Sequence, residues 1–184
     1  MNHAQIDPLG IINKYYPEEN ELRNILLTHS RSVAARAVKI ADDRPYLGLN
    51  RQFLYNAAML HDIGIFLTDA PGIACLGSEP YLLHGRLGAE LMRREGLEAY
   101  ARVCERHTGA GLTREQIISE RLPLPHQDFL PETEEECVIC YADKFYSKSH
   151  LARTKTKAEA VRSLQKFGQQ GVDRFLQWAQ RYED

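Results

Sequence analysis

The chain lacks the patterns from which extended sheets are built. Its 184 residues show little alternation of apolar and polar residues, and no Asn-Gly or Asp-Gly pair marks a hairpin turn. No apolar run approaches the roughly 18 residues that a membrane-spanning helix needs. The start, MNHAQIDPLG, has no basic segment followed by an apolar one, which argues against a secretory signal. We therefore expect a helical, cytoplasmic protein without a membrane partner.

Basic charge and cysteine are also scarce. Lys and Arg number 23 against 25 Asp and Glu, so no overall basic excess points to a nucleic-acid partner. Four cysteines do not suggest a disulfide framework in a chain of this length. Cys137 and Cys140 form a C-x-x-C, but the second pair or strand–helix setting of a zinc or redox site is not visible. We predict that both are small core residues, one turn apart on a helix.

Apolar residues recur at helical spacing along most of the chain. The pattern predicts helices at about 7–16, from about 18, and at about 28–42, 51–62, 84–94, 98–107 and 171–182. Three more are predicted to begin at capping boxes: Thr113 with Gln116, Thr133 with Glu136 and Thr156 with Glu159. Residues 65–82 and the proline-rich 121–131 are predicted loops. We expect one all-α domain over 1–184, with C-terminal helices at 156–184 packed on it.

Several ionisable residues fall on the apolar faces of these predicted helices, at or near helix ends. Buried charges are costly unless they pair or bind metal. Each residue alone could also be a core or capping residue whose polar atoms are hydrogen-bonded. Together, however, they would need separate hydrogen-bond partners at five places in one small core. Four imidazoles and two carboxylates make a plausible set of ligands for two divalent cations: His29, His61, Asp62, His84, His107 and Asp143. Adjacent helix positions point about 100° apart, so Asp62 can reach a second cation while His61 binds the first.

At these residues the sequence resembles the HD-domain superfamily of metal-dependent phosphohydrolases. AAMLHDIGIF reads H-D-I-G at 61–64, and the order His, His-Asp, His, His, Asp is that of the dinuclear branch. THSRSVAARAVKIA, LLHGRLGAELM, ERHTGAGL and CYADKFYSKS resemble the family's other motifs, so the resemblance covers about 25–150. These motifs most resemble those of the branch whose enzymes symmetrically hydrolyse diadenosine tetraphosphate with a pair of iron ions. The chain departs from it in a long 111–136 insert, in S-K-S after A-D-K-F-Y, and in Ile65 after H-D-I-G, where many HD phosphodiesterases have lysine.

The resemblance implies an HD-type helical bundle with two divalent metals, for which we expect iron or manganese. It implies one metal held by His29, His61, Asp62 and Asp143, and the other by Asp62, His84 and His107. A hydroxide shared by the metals would attack phosphorus, and Asp62 would be the catalytic residue that bridges the metals and orients it.

Basic residues near the predicted ligands are candidates for binding substrate phosphate. Lys144, Lys148 and, more weakly, Arg31 are predicted for this role, although each lysine also fits a solvated helix face. The basic stretch 148–157 could line an entrance or form a plain connection. His126 could cap the site or lie on the surface, and His3 and His150 receive no role.

Three functions follow from these residues. The first is a hydrolase for a phosphate ester or anhydride of a small phosphorylated molecule, with a nucleotide expected and a homodimer left open. The second is an HD-fold di-iron oxygenase, because some such enzymes use the same ligand order. The third, a non-catalytic nucleotide-binding module, is disfavoured because all six ligands are present.

Overall fold

Nine α-helices form most of the computed structural model, which describes residues 6–183. Their bounds are α1 Pro8–Tyr15, α2 Glu21–Asp43, α3 Arg51–Leu60, α4 His84–Arg94, α5 Glu98–Arg106, α6 Arg114–Ser119, α7 Glu134–Asp143, α8 Lys157–Leu164 and α9 Gln169–Tyr182. The helical prediction is confirmed. Within the described range, no helix is both long enough and apolar enough to cross a membrane. His3 lies outside the described residues.

The longest helix, α2, shows that one predicted helix boundary, near Thr28, is wrong. The sequence predicted two helices, one from about 18 and one over 28–42, but residues 21–43 form a single helix. Its N-cap is Asn20, whose side chain accepts a hydrogen bond from the backbone N–H of Arg23 at 3.0 Å. No glycine or proline interrupts the segment, and Thr28 lies within it instead of starting a new helix.

The segment after α3 contains a small sheet where a loop was predicted. Its strands are β1 Thr68–Ala70, β2 Cys75–Leu76 and β3 Glu79–Pro80, in the order β2-β1-β3. Strand β1 pairs antiparallel with β2 and parallel with β3. The loop prediction is wrong here because strands of two or three residues are too short to show an alternating pattern.

Two of the three predicted capping boxes form completely. At the starts of α7 and α8, the threonine side chain and the glutamate three residues later satisfy each other's backbone N–H. At α6 only half of the box forms: Thr113 accepts from the Gln116 N–H at 3.1 Å. The Gln116 side chain instead donates to the carbonyl of Phe167 at 2.9 Å, which ties α6 to the C-terminal segment.

Aromatic packing joins the last helix to the core. Tyr141 of α7 lies 4.9 Å from Phe175 and 5.5 Å from Tyr182 of α9, measured between ring centroids. Cys140 of α7 is buried, and burial raises the pKa of its thiol to about 12. Cys137 is partly buried, and both cysteines are free thiols. The interpretation of the C-x-x-C as packing residues agrees with this environment.

Candidate metal centre

The six predicted ligands meet at one buried point between α2, α3, α4, α5 and α7. None is more than 9% exposed. They reach it from different positions: His84 opens α4, Asp143 closes α7, and His61 and His107 directly follow α3 and α5. Asp62 lies in the turn after His61. His29 differs from the prediction, because it lies within the continuous α2 instead of near a helix end.

A first set of ligands, which we call the four-ligand group, consists of His29, His61, Asp62 and Asp143. The Nε2 of His29 lies 2.9 Å from Oδ1 of Asp143 and 3.1 Å from Oδ2 of Asp62. The Nε2 of His61 lies 3.1 Å from the same Oδ2 of Asp62 and 3.5 Å from Oδ1 of Asp143. Two imidazole nitrogens and two carboxylates therefore face one small volume.

The three-ligand group consists of Asp62, His84 and His107. The Nε2 atoms of both histidines lie 3.4 Å from Oδ1 of Asp62. They lie 3.0 Å from each other. Asp62 thus presents Oδ2 to the four-ligand group and Oδ1 to this one, as expected for a carboxylate shared by two cations.

Backbone carbonyls fix the orientation of three of the imidazoles. Each Nδ1 lies near the carbonyl of the residue three positions earlier: His61 with Ala58 at 2.6 Å, His84 with Tyr81 at 2.7 Å, and His107 with Cys104 at 2.6 Å. A carbonyl only accepts, so Nδ1 carries the proton in each case. In a neutral ring the Nε2 lone pair then faces the centre, which is the arrangement of a metal-ligating histidine.

Charge differs between the two groups. Burial works against a charged His61, but the Asp62 and Asp143 carboxylates outweigh it and raise the pKa of His61 to about 9. In the three-ligand group burial, and then the neighbouring His107, lower the pKa of His84 to about 3. Burial also lowers the pKa of His107. The four-ligand group therefore contains charged residues, while the two histidines of the other group are neutral at pH 7.

The polar atoms of the centre fit divalent metal ions. Oδ1 of Asp62 and Nε2 of His61 are buried without a hydrogen-bond partner, and Oδ2 of Asp62 lies 2.6 Å from the ammonium group of Lys148. Two neutral imidazoles face each other with lone pairs on nitrogens only 3.0 Å apart, which is unfavourable unless a cation lies between or beside them. Nitrogen and carboxylate ligands together suit divalent iron, manganese or zinc.

Two glycines let the helices that carry the ligands approach closely. A Cβ on Gly64 would lie 2.4 Å from the carbonyl oxygen of His84, and one on Gly85 would lie 2.4 Å from that of Cys104. The final glycine of H-D-I-G therefore allows the turn after α3 to pack on the first turn of α4. The sequence did not predict this role of Gly64, because close backbone contact between residues 20 positions apart leaves no local pattern.

Both predicted lysines reach the centre, so the solvated-face interpretation is wrong for each. The Nζ of Lys148 lies 2.6 Å from Oδ2 of Asp62, and its side chain is only 12% exposed. The Nζ of Lys144 donates to Oδ2 of Asp143 at 2.6 Å and to the His107 carbonyl at 2.9 Å. Lys144 thus holds a ligand and a ligand-bearing turn in place.

Arg31 and His126 lie elsewhere. Arg31 is exposed and is absent from the cavity above the centre. Two helix positions past His29 is a rotation of about 200°, so the side chain points away from the ligands. His126 is exposed on the proline-rich segment and does not contact the cavity, and His150 is also exposed. We therefore leave Arg31 and a His126 cap out of the proposed site.

A cavity of about 780 Å³ opens onto the centre. His84, His107 and Asp143 lie on its wall, whereas His29, His61 and Asp62 lie behind them. Tyr81 stacks on the His84 ring, with centroids 4.7 Å apart and planes 17° from parallel. Lys155, Lys166 and Phe167 also line this cavity. The sequence analysis had included Lys155 in the basic stretch 148–157, which could line an entrance. No sequence pattern indicated that Tyr81 or Phe167 would line the cavity.

The family model for the HD domain matches residues 26–147, two thirds of the chain. The chain therefore belongs to the HD-domain superfamily of metal-dependent phosphohydrolases, which confirms the resemblance drawn from the motifs. The buried histidine–aspartate cluster agrees with divalent metal binding in this family.

Among curated proteins, the chain is similar to two tRNA (cytidine(56)-2'-O)-methyltransferases. It is 31% identical over 165 residues to that of Picrophilus torridus, covering 84% of this chain and 42% of the relative. It is 32% identical over 123 residues to that of Thermoplasma volcanium, covering 66% of this chain and 32% of the relative. The chain thus spans less than half the length of these relatives.

Among solved structures, the chain is similar to the HD domain of the L. monocytogenes phosphodiesterase PgpH. The form in complex with cyclic-di-AMP matches with a TM-score of 0.54 and 16% identity, covering 95% of this chain and 98% of that one. A second structure of the same HD domain matches with a TM-score of 0.52, 17% identity, and coverage of 95% and 94%. At this identity the likeness shows the fold, which is the HD helical domain.

Proposed function

We propose that this chain hydrolyses a phosphate ester or anhydride bond of a nucleotide, with two divalent metals, iron or manganese, in the centre described above. The observation that carries the proposal is the position of Asp62, whose two buried oxygens face two different sets of ligands. When bound, such a pair of cations lowers the pKa of water and polarises phosphate oxygens.

The chain's own residues would hold this arrangement rigid. Asp62 sets the spacing of the two ligand groups, since it belongs to both. The Nδ1–H donations of His61, His84 and His107 to backbone carbonyls keep the ligating nitrogens aimed at the centre. Lys144 keeps Asp143 in position through its 2.6 Å contact. Preorganised ligands of this kind cost little rearrangement during the reaction.

Lys148 is the proposed phosphate-binding residue. Its ammonium group now neutralises Asp62 at 2.6 Å, while its side chain lies on the cavity wall. A cation bound to Asp62 would take over this neutralisation, which would free the ammonium to bind a substrate phosphate oxygen in the cavity. In this proposal Lys148 therefore pairs with Asp62 in the metal-free protein and with a substrate phosphate in the metal-loaded protein.

A nucleotide fits the cavity because basic and apolar side chains share its walls. Lysines line one part, and Tyr81, Leu82, Leu122 and Phe167 offer surfaces for a base. The PgpH HD domain, which shares the fold, binds a cyclic dinucleotide. Methyl transfer is not proposed, because the methyltransferases are more than twice as long as the region they share with this chain. The lysines at the centre favour a phosphorylated substrate over the di-iron oxygenase alternative.

A substrate screen tests this proposal. The protein is loaded anaerobically with Fe²⁺, Mn²⁺ or Co²⁺ and assayed for phosphate release or bond cleavage across nucleotides and other phosphorylated compounds. We expect metal-dependent hydrolysis that is abolished in Asp62→Asn. Oxygen uptake without any cleavage of a phosphorylated compound would instead favour the oxygenase, and binding without turnover would favour the nucleotide-binding module.

A further inference from the structure

We infer that the cavity contains a second anion-binding subsite, formed by Lys155 and Lys166 beside Phe167, that binds a phosphate other than the one attacked. The inference rests on the proposed function, since it assigns the reacting phosphate to the metal centre. The family model matches residues 26–147. Lys155, Lys166 and Phe167 lie after this range, so the inference assigns a function to a part of the chain that the family model does not match.

The subsite belongs to the same cavity as the metal centre. Lys155, Lys166 and Phe167 line it together with His84 and His107. Lys155 is half-buried, while Lys166 is exposed. Both lysine side chains therefore border the cavity onto which the centre opens.

The two lysines have no carboxylate to neutralise them. Lys144 and Lys148 lie 2.6 Å from Asp143 and Asp62, respectively. Within residues 6–183, no carboxylate lies within ion-pair distance of Lys155 or Lys166; the Nζ of Lys166 lies 4.9 Å from the centroid of the Phe167 ring. Unpaired ammonium groups that share one cavity favour an anionic ligand.

The electrostatic surroundings of Lys155 support this assignment. Burial lowers its pKa, the ammonium groups of Lys144, Lys166 and Lys148 lower it further, and Asp143 acts in the opposite direction. Glu120 also lines the cavity and would add negative charge. An anion between the lysines would relieve their mutual repulsion.

Hydrogen bonds and packing hold the subsite in place. The backbone N–H of Lys155 donates to the Phe145 carbonyl at 2.8 Å, directly after α7. The Phe167 carbonyl accepts from the Gln116 side chain at 2.9 Å. The Phe167 ring packs on Gly109, where an added Cβ would lie 3.1 Å from it, and Gly109 has the positive φ of +62° that glycine tolerates. The subsite is thus attached to the turn that carries His107.

This arrangement selects a chemical class of substrate. One phosphate would lie at the metals and a second between Lys155 and Lys166. A planar base would pack on Phe167, which, like Leu82 and Leu122, packs against the small apolar cluster of Leu112, Ile117 and Phe129. The class is a nucleotide with at least one phosphate in addition to the reacting one. A nucleoside monophosphate would leave the subsite empty.

A binding comparison tests the subsite. Calorimetry on the metal-loaded protein would measure the Kd of adenosine monophosphate and of the non-hydrolysable triphosphate analogue with a methylene bridge. We expect Lys155→Gln/Lys166→Gln to reduce the preference for the triphosphate by about tenfold or more, the effect of losing a charge-assisted contact. Lys155→Arg/Lys166→Arg should largely restore it, and Lys39→Gln, which removes an exposed lysine paired with Asp43, should not alter it.

The outcomes separate the subsite from the proposed hydrolysis. An unchanged preference in the double variant, or no preference in the original protein, would overturn the subsite. Because the analogue is not hydrolysed, absence of turnover in the substrate screen would overturn the hydrolase proposal without affecting this result. If the double variant does not fold, Lys166→Gln alone, at an exposed position, gives the same comparison.

Discussion

The two ligand groups of the centre differ in charge and in access, although they share Asp62. The four-ligand group has two carboxylates with lysine ammonium groups 2.6 Å away, and His61 has a raised pKa. The three-ligand group has two neutral imidazoles with Nε2 atoms 3.0 Å apart and a single carboxylate oxygen nearby. Without metal, lysine ammonium groups neutralise the carboxylates of the four-ligand group. In the three-ligand group, by contrast, two nitrogen lone pairs face each other.

Access follows the same division. His84 and His107 lie on the cavity wall, whereas in the four-ligand group only Asp143 lies there, and His29, His61 and the shared Asp62 lie behind it. The four-ligand group therefore has more ligands and less solvent, which favours tight metal binding. A metal held by the three-ligand group would have coordination positions left for substrate, as an open catalytic site requires. We infer that the first group retains its metal more firmly and that the second meets the substrate.

Removing the shared carboxylate should have the largest effect. Asp62→Asn keeps the shape of the side chain but weakens both groups at once, so hydrolysis should fall by about 10³-fold or more, equivalent to several kcal/mol of lost metal assistance. Steady-state kinetics on a substrate from the screen would measure it, with metal content determined on the same samples. A kcat near that of the original protein would contradict a shared role for Asp62.

Single histidine variants separate the two groups. His84→Ala should lower the metal content from two ions per chain to one, because the four-ligand group stays intact. His29→Ala should instead weaken the tighter of the two sites. Metal titration followed by elemental analysis would show this, with His126→Ala, at an exposed position, as a control that keeps both ions. Equal losses in His29→Ala and His84→Ala would contradict the difference between the groups.

Replacing Lys148 tests whether it substitutes for a cation at Asp62. In the metal-free protein Lys148→Met leaves a buried carboxylate without its partner, which should lower Tm strongly. Metal binding should restore most of the loss, because a cation then neutralises Asp62. Thermal unfolding with and without Mn²⁺ would compare this variant with Lys39→Met, whose lysine is exposed. Equal destabilisation in both states would argue against a change of partner by Lys148.

Glycine substitutions give the smallest expected effect and test how the three-ligand group is supported. Gly64→Ala places a Cβ 2.4 Å from the His84 carbonyl oxygen, so α4 must shift. Overpacking of this kind costs about 1–3 kcal/mol in the free energy of unfolding. Gly72→Ala is a suitable control because no heavy atom lies within 4 Å of its added Cβ. Denaturant unfolding would measure both, and similar values would show that close packing at Gly64 is not needed.

The sequence predicted that the six candidate ligands converge, because each lies beside a helical motif that can be read locally. His61 and Asp62 follow an apolar helix, and Asp143 ends another. The short strands at 68–80 and the continuity of α2 through Thr28 were missed, since two or three residues carry no period and a capping residue type does not always cap. Phe167 and Tyr81 could not be assigned to the cavity, because only tertiary packing brings them there.

The most direct test of the account is the position of the metals themselves. Anomalous diffraction from crystals of Mn²⁺-loaded protein would locate them independently of activity. We expect two fully occupied sites about 3.5–4 Å apart, one near His29, His61 and Asp143 and the other near His84 and His107, with Asp62 contacting both. A single fully occupied site, with His84 and His107 left without metal at saturating Mn²⁺, would contradict the shared centre.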